Sequence, residues 1–249
     1  MHIQEIDRKM MITGASSGIG RETAKYLAGE GCSLILLGRN KERLQETKEM
    51  LPGEDHRTIS ADLAEEQDLE FVLKEAVSDG RKLDGLVHCA GTGPIIPIKL
   101  LKRRTIEEVM RINVYSFLEL VRYFSNKKYH NENSSIVAIS SIAAVQPEKC
   151  QTLYSMSKAA LNAAVQALAI ELAPKKIRIN TIMPGVVDTP MARAGGQFVP
   201  DGDFIASVSE KQLLGVIEPE AIAGLCGFLL SSASSMMTGR AIYADGGRI

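Results

Sequence analysis

Short apolar runs alternate with amphipathic stretches along almost the whole chain, and few folds accept that rhythm. Met10-Met11-Ile12 runs into a Gly/Ser turn, and a helix is expected over about 19–28. Residues 33–37 are nearly all apolar, as a strand covered on both faces must be. Residues 40–50 are charged with a helical period, 57–60 read as a weaker strand, and 65–77 as a helix. Further strands are expected within 83–89 and over 135–140, 177–183 and 241–244. This βαβα order implies an α/β fold: a Rossmann-like, doubly wound parallel sheet of about seven strands, helices on both faces, right-handed crossovers. No internal repeat or Pro/Gly-rich linker interrupts it, so residues 1–249 are expected to form one domain. The segment at about 190–216 breaks the rhythm with Gly195-Gly196, Pro200 and Asp201-Gly202. A loop this long in a compact domain suits a substrate cover.

Bulk properties remove several function classes. The formal net charge is -1, and basic groups such as Lys102-Arg103-Arg104 read as solvated surface, so no nucleic-acid partner is expected. The 4 cysteines form no CxxC pair and no cluster with metal spacing, so neither a metal site nor a disulfide framework is expected. The first residues lack the apolar core of a signal peptide, and no apolar run approaches the ~20 residues that span a bilayer. The expectation is a cytoplasmic protein with no membrane partner.

The turn after the first strand reads Thr13-Gly14-Ala15-Ser16-Ser17-Gly18-Ile19-Gly20. Glycines here let the backbone turn sharply and approach a ligand, and the helix that follows offers unpaired N–H groups to a pyrophosphate. Gly14, Ser16, Ser17, Gly18, Ile19 and Gly20 are therefore candidate cofactor residues. After the second strand comes Gly38-Arg39-Asn40, where an NAD site usually carries an acid for the ribose hydroxyls. A guanidinium suits a 2′-phosphate, so Arg39 favours NADP(H) and leaves NAD(H) as the alternative. The plainer reading is a surface arginine opening a helix that Asn40 caps.

Tyr154 and Lys158 stand four apart, on one face if that stretch is helical. A phenol with a pKa near ~10 is a poor acid–base group at neutral pH, and a nearby ammonium lowers that value. The pair suits proton transfer but arises easily by chance. Support comes from Ser140-Ser141 at the end of a buried strand, where open α/β sheets gather ligands, and from Asn113 inside a helical pattern. An Asn there is expected to bond water or backbone at a kink.

With these residues assembled, the chain resembles a classical short-chain dehydrogenase/reductase over nearly its full length, with some likeness to 3-oxoacyl-[acyl-carrier-protein] reductases. The family's glycine motif matches residues 13–20, and its adenine-binding Asp matches Asp62, followed by Leu63. Its Asn-Asn-Ala-Gly element matches His88-Cys89-Ala90-Gly91, with two departures that put Cys89 beside the ribose as an oxidation-sensitive position. The resemblance implies a catalytic tetrad of Asn113, Ser141, Tyr154 and Lys158. Ser141 is chosen over Ser140 by the family's spacing to the tyrosine. Pro184-Gly185, Val187 and Thr189 would meet the nicotinamide amide. The implied activity is hydride transfer between NADP(H) and a carbonyl or alcohol, in the ketone-reducing direction. Tyr154 would donate the proton. Lys158 would hold the ribose and depress the Tyr154 pKa, and Asn113 would keep a water linking Lys158 to solvent. The substrate would be a small-molecule or acyl-thioester carbonyl, and Met191, Phe198, Phe204, Ile205 and Val208 would give its cover a partly apolar lining. The resemblance also implies a homodimer or homotetramer packed on the helices carrying Asn113 and Tyr154, with Ala159, Ala160, Ala163, Ala164 and Leu168 fitting either that interface or the monomer core. Two alternatives stand beside this reading: an NAD-dependent alcohol, sugar or hydroxysteroid dehydrogenase of the same family, and a non-catalytic dinucleotide sensor or scaffold.

Overall fold

The computed structural model describes residues 7–65, 69–195 and 211–248. Seven strands form a single sheet: β1 (Lys9–Thr13), β2 (Ser33–Gly38), β3 (His56–Ser60), β4 (Leu83–His88), β5 (His130–Ile139), β6 (Arg178–Pro184) and β7 (Ala241–Ala244). Their spatial order is β3-β2-β1-β4-β5-β6-β7, and every neighbouring pair is parallel. The chain winds outward from β1 to β3, then restarts at β4 on the other side of β1. That reversal opens a crevice beyond the carboxyl ends of β1 and β4, where such sheets bind ligands.

Strand residues alternate between two buried layers, as a sheet covered on both faces requires. Met11, Ile35, Leu86 and Ile136 face one core with Phe117, Leu161 and Val165. Met10, Ile12, Leu34, Leu36, Val87 and Val137 face the other with Ala24, Leu27 and Leu229. The first layer is covered by α3 (Glu70–Ala76), α5 (Ser116–Phe124) and α6 (Thr152–Leu172). The second is covered by α1 (Gly18–Gly29) and α8 (Pro219–Leu230). Helix α2 (Lys41–Glu49) packs beside β2 and β3 and buries Leu44 in the second layer. At the amino end of β1, Lys9 is buried but paired: its ammonium reaches Asp79 at 2.6 and 2.7 Å. A buried charge without such a partner would be costly.

Several boundaries differ from the sequence reading. Strand β5 begins at His130, five residues before the expected 135. Its polar start pairs with β4 through Leu83↔His130, and the register then shifts before Gly85↔Ser135. Residues 131–134 fall within that shift, with the Asn131 amide donating to Asp84 Oδ1 at 2.8 Å, so no alternation of side chains marks the stretch. Helix α3 is shorter than the expected 65–77, because Asp62 Oδ1 accepts from Ala64 N at 2.9 Å and closes a turn first. The stretch after residue 190 is not wholly loop. Thr189 Oγ1 accepts from Ala192 N at 3.2 Å and starts the short helix α7 (Pro190–Gly195). Phe198, Phe204, Ile205 and Val208 lie outside the described residues. No helix among the described residues is long and apolar enough to cross a membrane.

Candidate active site

The crevice is built first by backbone. Gly14 has φ +67 and Gly18 φ +52, a region that favours glycine. A Cβ on Gly14 would stand 2.8 Å from Ala90 N, and one on Gly20 would stand 2.3 Å from Gly14 O. Only glycine lets β1, β4 and α1 come this close. Ser17 caps α1 in extended conformation but makes no side-chain cap bond. The first N–H groups of α1 are thus left for an anion in the crevice. Ser16 O is taken by the Arg21 guanidinium at 2.8 Å. Ile19 packs on the second core layer.

The end of β2 separates the two readings of residues 39 and 40. Asn40 Oδ1 accepts from Arg43 N at 2.7 Å, so Asn40 caps α2 unaided. The exposed Arg39 guanidinium has no partner among the described residues; only its carbonyl is engaged, by Ser60 Oγ at 3.3 Å. Asp62 sits just beyond the carboxyl end of β3, with Leu63 buried beside it.

At the end of β4, Thr13 organises the turn. Its Oγ1 accepts from Ala90 N at 3.0 Å and lies 3.0 Å from His88 Nδ1. His88 is fully buried, and burial, with the Lys158 charge nearby, holds its imidazole down at about 3. It is therefore a neutral brace for the Ala90-Gly91 turn. Burial pushes the Cys89 thiol well above its usual value. A low thiolate fraction does not suit the oxidation-sensitive position expected from sequence.

Asn113 lies in a π-turn (Arg111–Tyr115) between α4 (Arg103–Met110) and α5. The kink expected there is this widened turn. The Asn113 amide accepts from Thr92 N and donates to Thr92 O, both at 2.8 Å, and donates to Ser157 Oγ at 2.9 Å. Its partners are backbone, as expected of an Asn at a kink, and a serine. The side chain thereby locks the loop after β4 onto α6. A Cβ on Gly91 would stand 3.4 Å from Asn113 Oδ1 and 3.3 Å from Lys158 Nζ, so β4, the π-turn and α6 converge at this point.

Helix α6 carries Tyr154 and Lys158 one turn apart, with Lys158 Nζ 5.8 Å from the Tyr154 ring centroid. Lys158 donates to Ile139 O at 2.8 Å, and burial pulls its ammonium down to about 8. The expectation that Lys158 depresses the Tyr154 pKa is corrected. Burial raises the Tyr154 phenol above its ordinary value, and the opposing pull is a hydrogen bond with Ser141. Lys158 is aimed at a carbonyl of β5 rather than at the phenol oxygen, so the pull that opposes desolvation comes from Ser141 instead. The adjacent serines divide their work. Ser140 Oγ donates to Lys158 O at 3.2 Å and anchors α6. Ser141 Oγ accepts from Ala143 N at 3.1 Å and keeps its proton free for the Tyr154 side. A Cβ on Gly93 would meet the Tyr154 ring at 2.9 Å, so the loop after β4 closes over the ring.

On the far side, Pro184 ends β6, and Gly185 N donates to Ala244 O at 3.1 Å. Val187 bridges to Ile217. Thr189 faces the glycine loop: a Cβ on Gly18 would stand 3.2 Å from Thr189 Cγ2. The structure thus gathers the tetrad positions, the glycine loop and residues 184–189 around one crevice. Arg39 and Asp62 lie at its β2–β3 end. Sequence reasoning missed Thr92, Ser157 and Gln212. A serine next to Lys158 was a faint signal for Ser157; the backbone partner Thr92 left none.

The chain matches the family model described as Enoyl-(Acyl carrier protein) reductase over residues 14–248. It is 32% identical to glucose 1-dehydrogenase of Gluconobacter oxydans over 248 residues, covering 96% of this chain and 91% of that protein. Among solved structures it is similar to a short-chain dehydrogenase/reductase, glucose/ribitol dehydrogenase, from Brucella melitensis. The TM-score is 0.91 at 29% identity, over 99% of this chain and 98% of that one. It is also similar to L-sorbose reductase from Gluconobacter frateurii, complexed with NADPH and L-sorbose. There the TM-score is 0.89 at 28% identity, over 100% of this chain and 98% of that one.

Proposed function

The chain belongs to the classical short-chain dehydrogenase/reductase family, and from that membership we propose that it reduces a ketone carbonyl with NADPH, using Tyr154 as proton donor. The observation that carries this reading is the convergence of Ser141, Tyr154, Lys158 and Asn113 on one crevice beside an uncapped, glycine-rich helix start. The crevice also fits a dinucleotide on its own terms. Backbone approaches backbone where a Cβ would block it, the α1 N-terminus is open, and an unpaired Arg39 stands at the ribose end.

In this scheme the bound cofactor supplies a hydride. The α1 N-terminus holds its pyrophosphate, Arg39 its 2′-phosphate, and Asp62 with Leu63 its adenine. Ala90 and Gly91 line the ribose, and Val187 and Thr189 present backbone and hydroxyl to the carboxamide. Ser141 and Tyr154 hydrogen-bond the substrate carbonyl oxygen and stabilise the charge it gains. Tyr154 donates its proton to that oxygen, and its raised pKa keeps it protonated at neutral pH. Lys158 holds the ribose as a cation whose own proton is loosely held. Asn113 positions the loop that separates them.

The substrate reading is a small polar ketone or an acyl-thioester ketone. Similarity to glucose 1-dehydrogenase keeps open sugar or polyol oxidation with NAD. A homodimer or homotetramer is supported by the outward face of α6. Ala159 and Ala163 are exposed there with Met156 and Ile170, so these alanines lie outside the monomer core. The deciding experiment is a panel of ketones, keto sugars, 3-oxoacyl thioesters and polyols, followed by absorbance with NADPH and NADH. Turnover confined to NAD-linked oxidation would replace the reading. Tight dinucleotide binding with no turnover on any substrate would favour a sensor.

A further inference from the structure

Gln212 sits where its sequence neighbours predict the opposite. Leu213 and Leu214 follow it and are 68% and 85% exposed, whereas Gln212 is fully buried. An amide costs more to bury than a leucine unless its hydrogen bonds are all made. Here they are. Oε1 accepts from Val186 N at 2.9 Å, and Nε2 donates to Val186 O at 3.2 Å and to Gly215 O. The side-chain amide thus pairs with Val186 as a neighbouring strand residue would. Val186 O also takes Ile217 N at 3.0 Å, and Asp188 N reaches Ile217 O at 2.9 Å.

Two glycines make room for this side chain. A Cβ on Gly185 would stand 2.2 Å from Gln212 Oε1, and one on Gly246 would stand 2.8 Å from Gln212 Cγ. The site therefore lies where three segments meet: the turn after β6, the stretch before α8 and the chain after β7. Nothing else in the described structure satisfies Val186 N.

We infer that Gln212 is a positioning residue for the nicotinamide end of the cofactor. It holds Val186, and through it the Val187 backbone, at the height the carboxamide needs. This rests on the dinucleotide reading above. Removing the amide takes from the half-buried Val186 N–H its one partner among the described residues, and the 186–189 turn is free to shift toward another acceptor. The adenine and pyrophosphate contacts, on the opposite side of the crevice, are untouched.

The test separates the two halves of the cofactor. Calorimetric titration compares NADPH with ADP-ribose 2′-phosphate, which lacks only the nicotinamide; NADH and ADP-ribose serve as the second pair. Gln212→Met, similar in volume and without an amide, should bind NADPH about tenfold more weakly and the fragment unchanged. Gln212→Glu keeps the shape and the acceptor but not the donor, and should show the same selective loss; it carries the test if the Met variant does not fold. Equal weakening of NADPH and fragment would overturn the inference, because a general loss of structure spares neither. Unchanged NADPH binding would overturn it too. A wild-type protein that binds neither dinucleotide would sink the proposed function and the inference together, whereas the first two outcomes sink the inference alone.

Discussion

Lys158 reaches past Tyr154: its Nζ donates to Ile139 O at 2.8 Å and lies 5.8 Å from the phenol ring centroid. The tyrosine leans on Ser141 for its hydrogen bond and on burial for its protonation. The two residues therefore contribute different things, and substitutions should separate them.

Tyr154→Phe removes only the hydroxyl. Reductive turnover should fall at least ~100-fold, the range of a lost general acid. The ring contact with Gly93 should keep the melting temperature close to the wild-type value. Stopped-flow or steady-state absorbance at the cofactor band, beside thermal melts, checks both. Undiminished turnover would refute Tyr154 as donor.

The lowered Lys158 pKa has two pH signatures. In catalysis, kcat/KM for reduction should decline above about pH 8 as the free enzyme loses the Lys158 charge. In stability the sign is opposite. The folded value of about 8 lies below the ordinary 10.5, so unfolding takes up a proton between them and stability rises with pH across that window. The contribution is on the order of 3 kcal/mol at full extent. Denaturant titrations of wild type and Lys158→Met should diverge between those pH values; parallel curves would refute a buried, depressed lysine.

Arg39→Asp exchanges an unpaired guanidinium for the acid that NAD sites use. KM for NADPH should rise about 10- to 100-fold, with little change for NADH. Asn40 still caps α2, so the variant should fold. If KM for NADPH stays put, the 2′-phosphate is held elsewhere or not at all.

Gly14→Ala places a Cβ 2.8 Å from Ala90 N at φ +67. Backbone strain of about 1–2 kcal/mol is expected in stability. Dinucleotide binding should suffer more, since relief requires β1 and β4 to part at the crevice. Gly31→Ala, at φ +84 with open space around its Cβ, is the control: comparable strain and intact binding.

The parallel seven-stranded sheet and the two-layered core were legible because they rest on patterns that sequence displays directly. Residues 34–37 are apolar throughout, and Ala241–Ala244 falls where the last run was expected. The start of β5 was hidden, since Asn131-Glu132-Asn133 falls in the register shift between His130 and Ser135 and Asn133 adopts φ +60. In the crevice, residue types pointed to Tyr154, Lys158, Ser141 and Asn113, but their hydrogen-bond partners did not follow. Asn113 bonds the Thr92 backbone, and no residue type announces a carbonyl. Gln212 was invisible for a similar reason: one amide between a lysine and two exposed leucines reads as loop, and only the fold shows what it replaces.

The π-turn at Arg111–Tyr115 has a consequence for how this helix pair tolerates length changes. One extra residue per turn resets the angular phase of α4 relative to α5 by about 100°. Val109 can thus face inward on one helix while Phe117, Leu120 and Phe124 face inward on the next. Deleting a single residue from the turn would restore an unbroken α-helix with Val109 and Phe117 seven apart, still on one face. An insertion elsewhere on α4, with no widened turn to absorb it, would swing one stripe off the sheet. Chains that share this crevice should therefore tolerate losing one residue between Val109 and Phe117 and resist gaining one on α4.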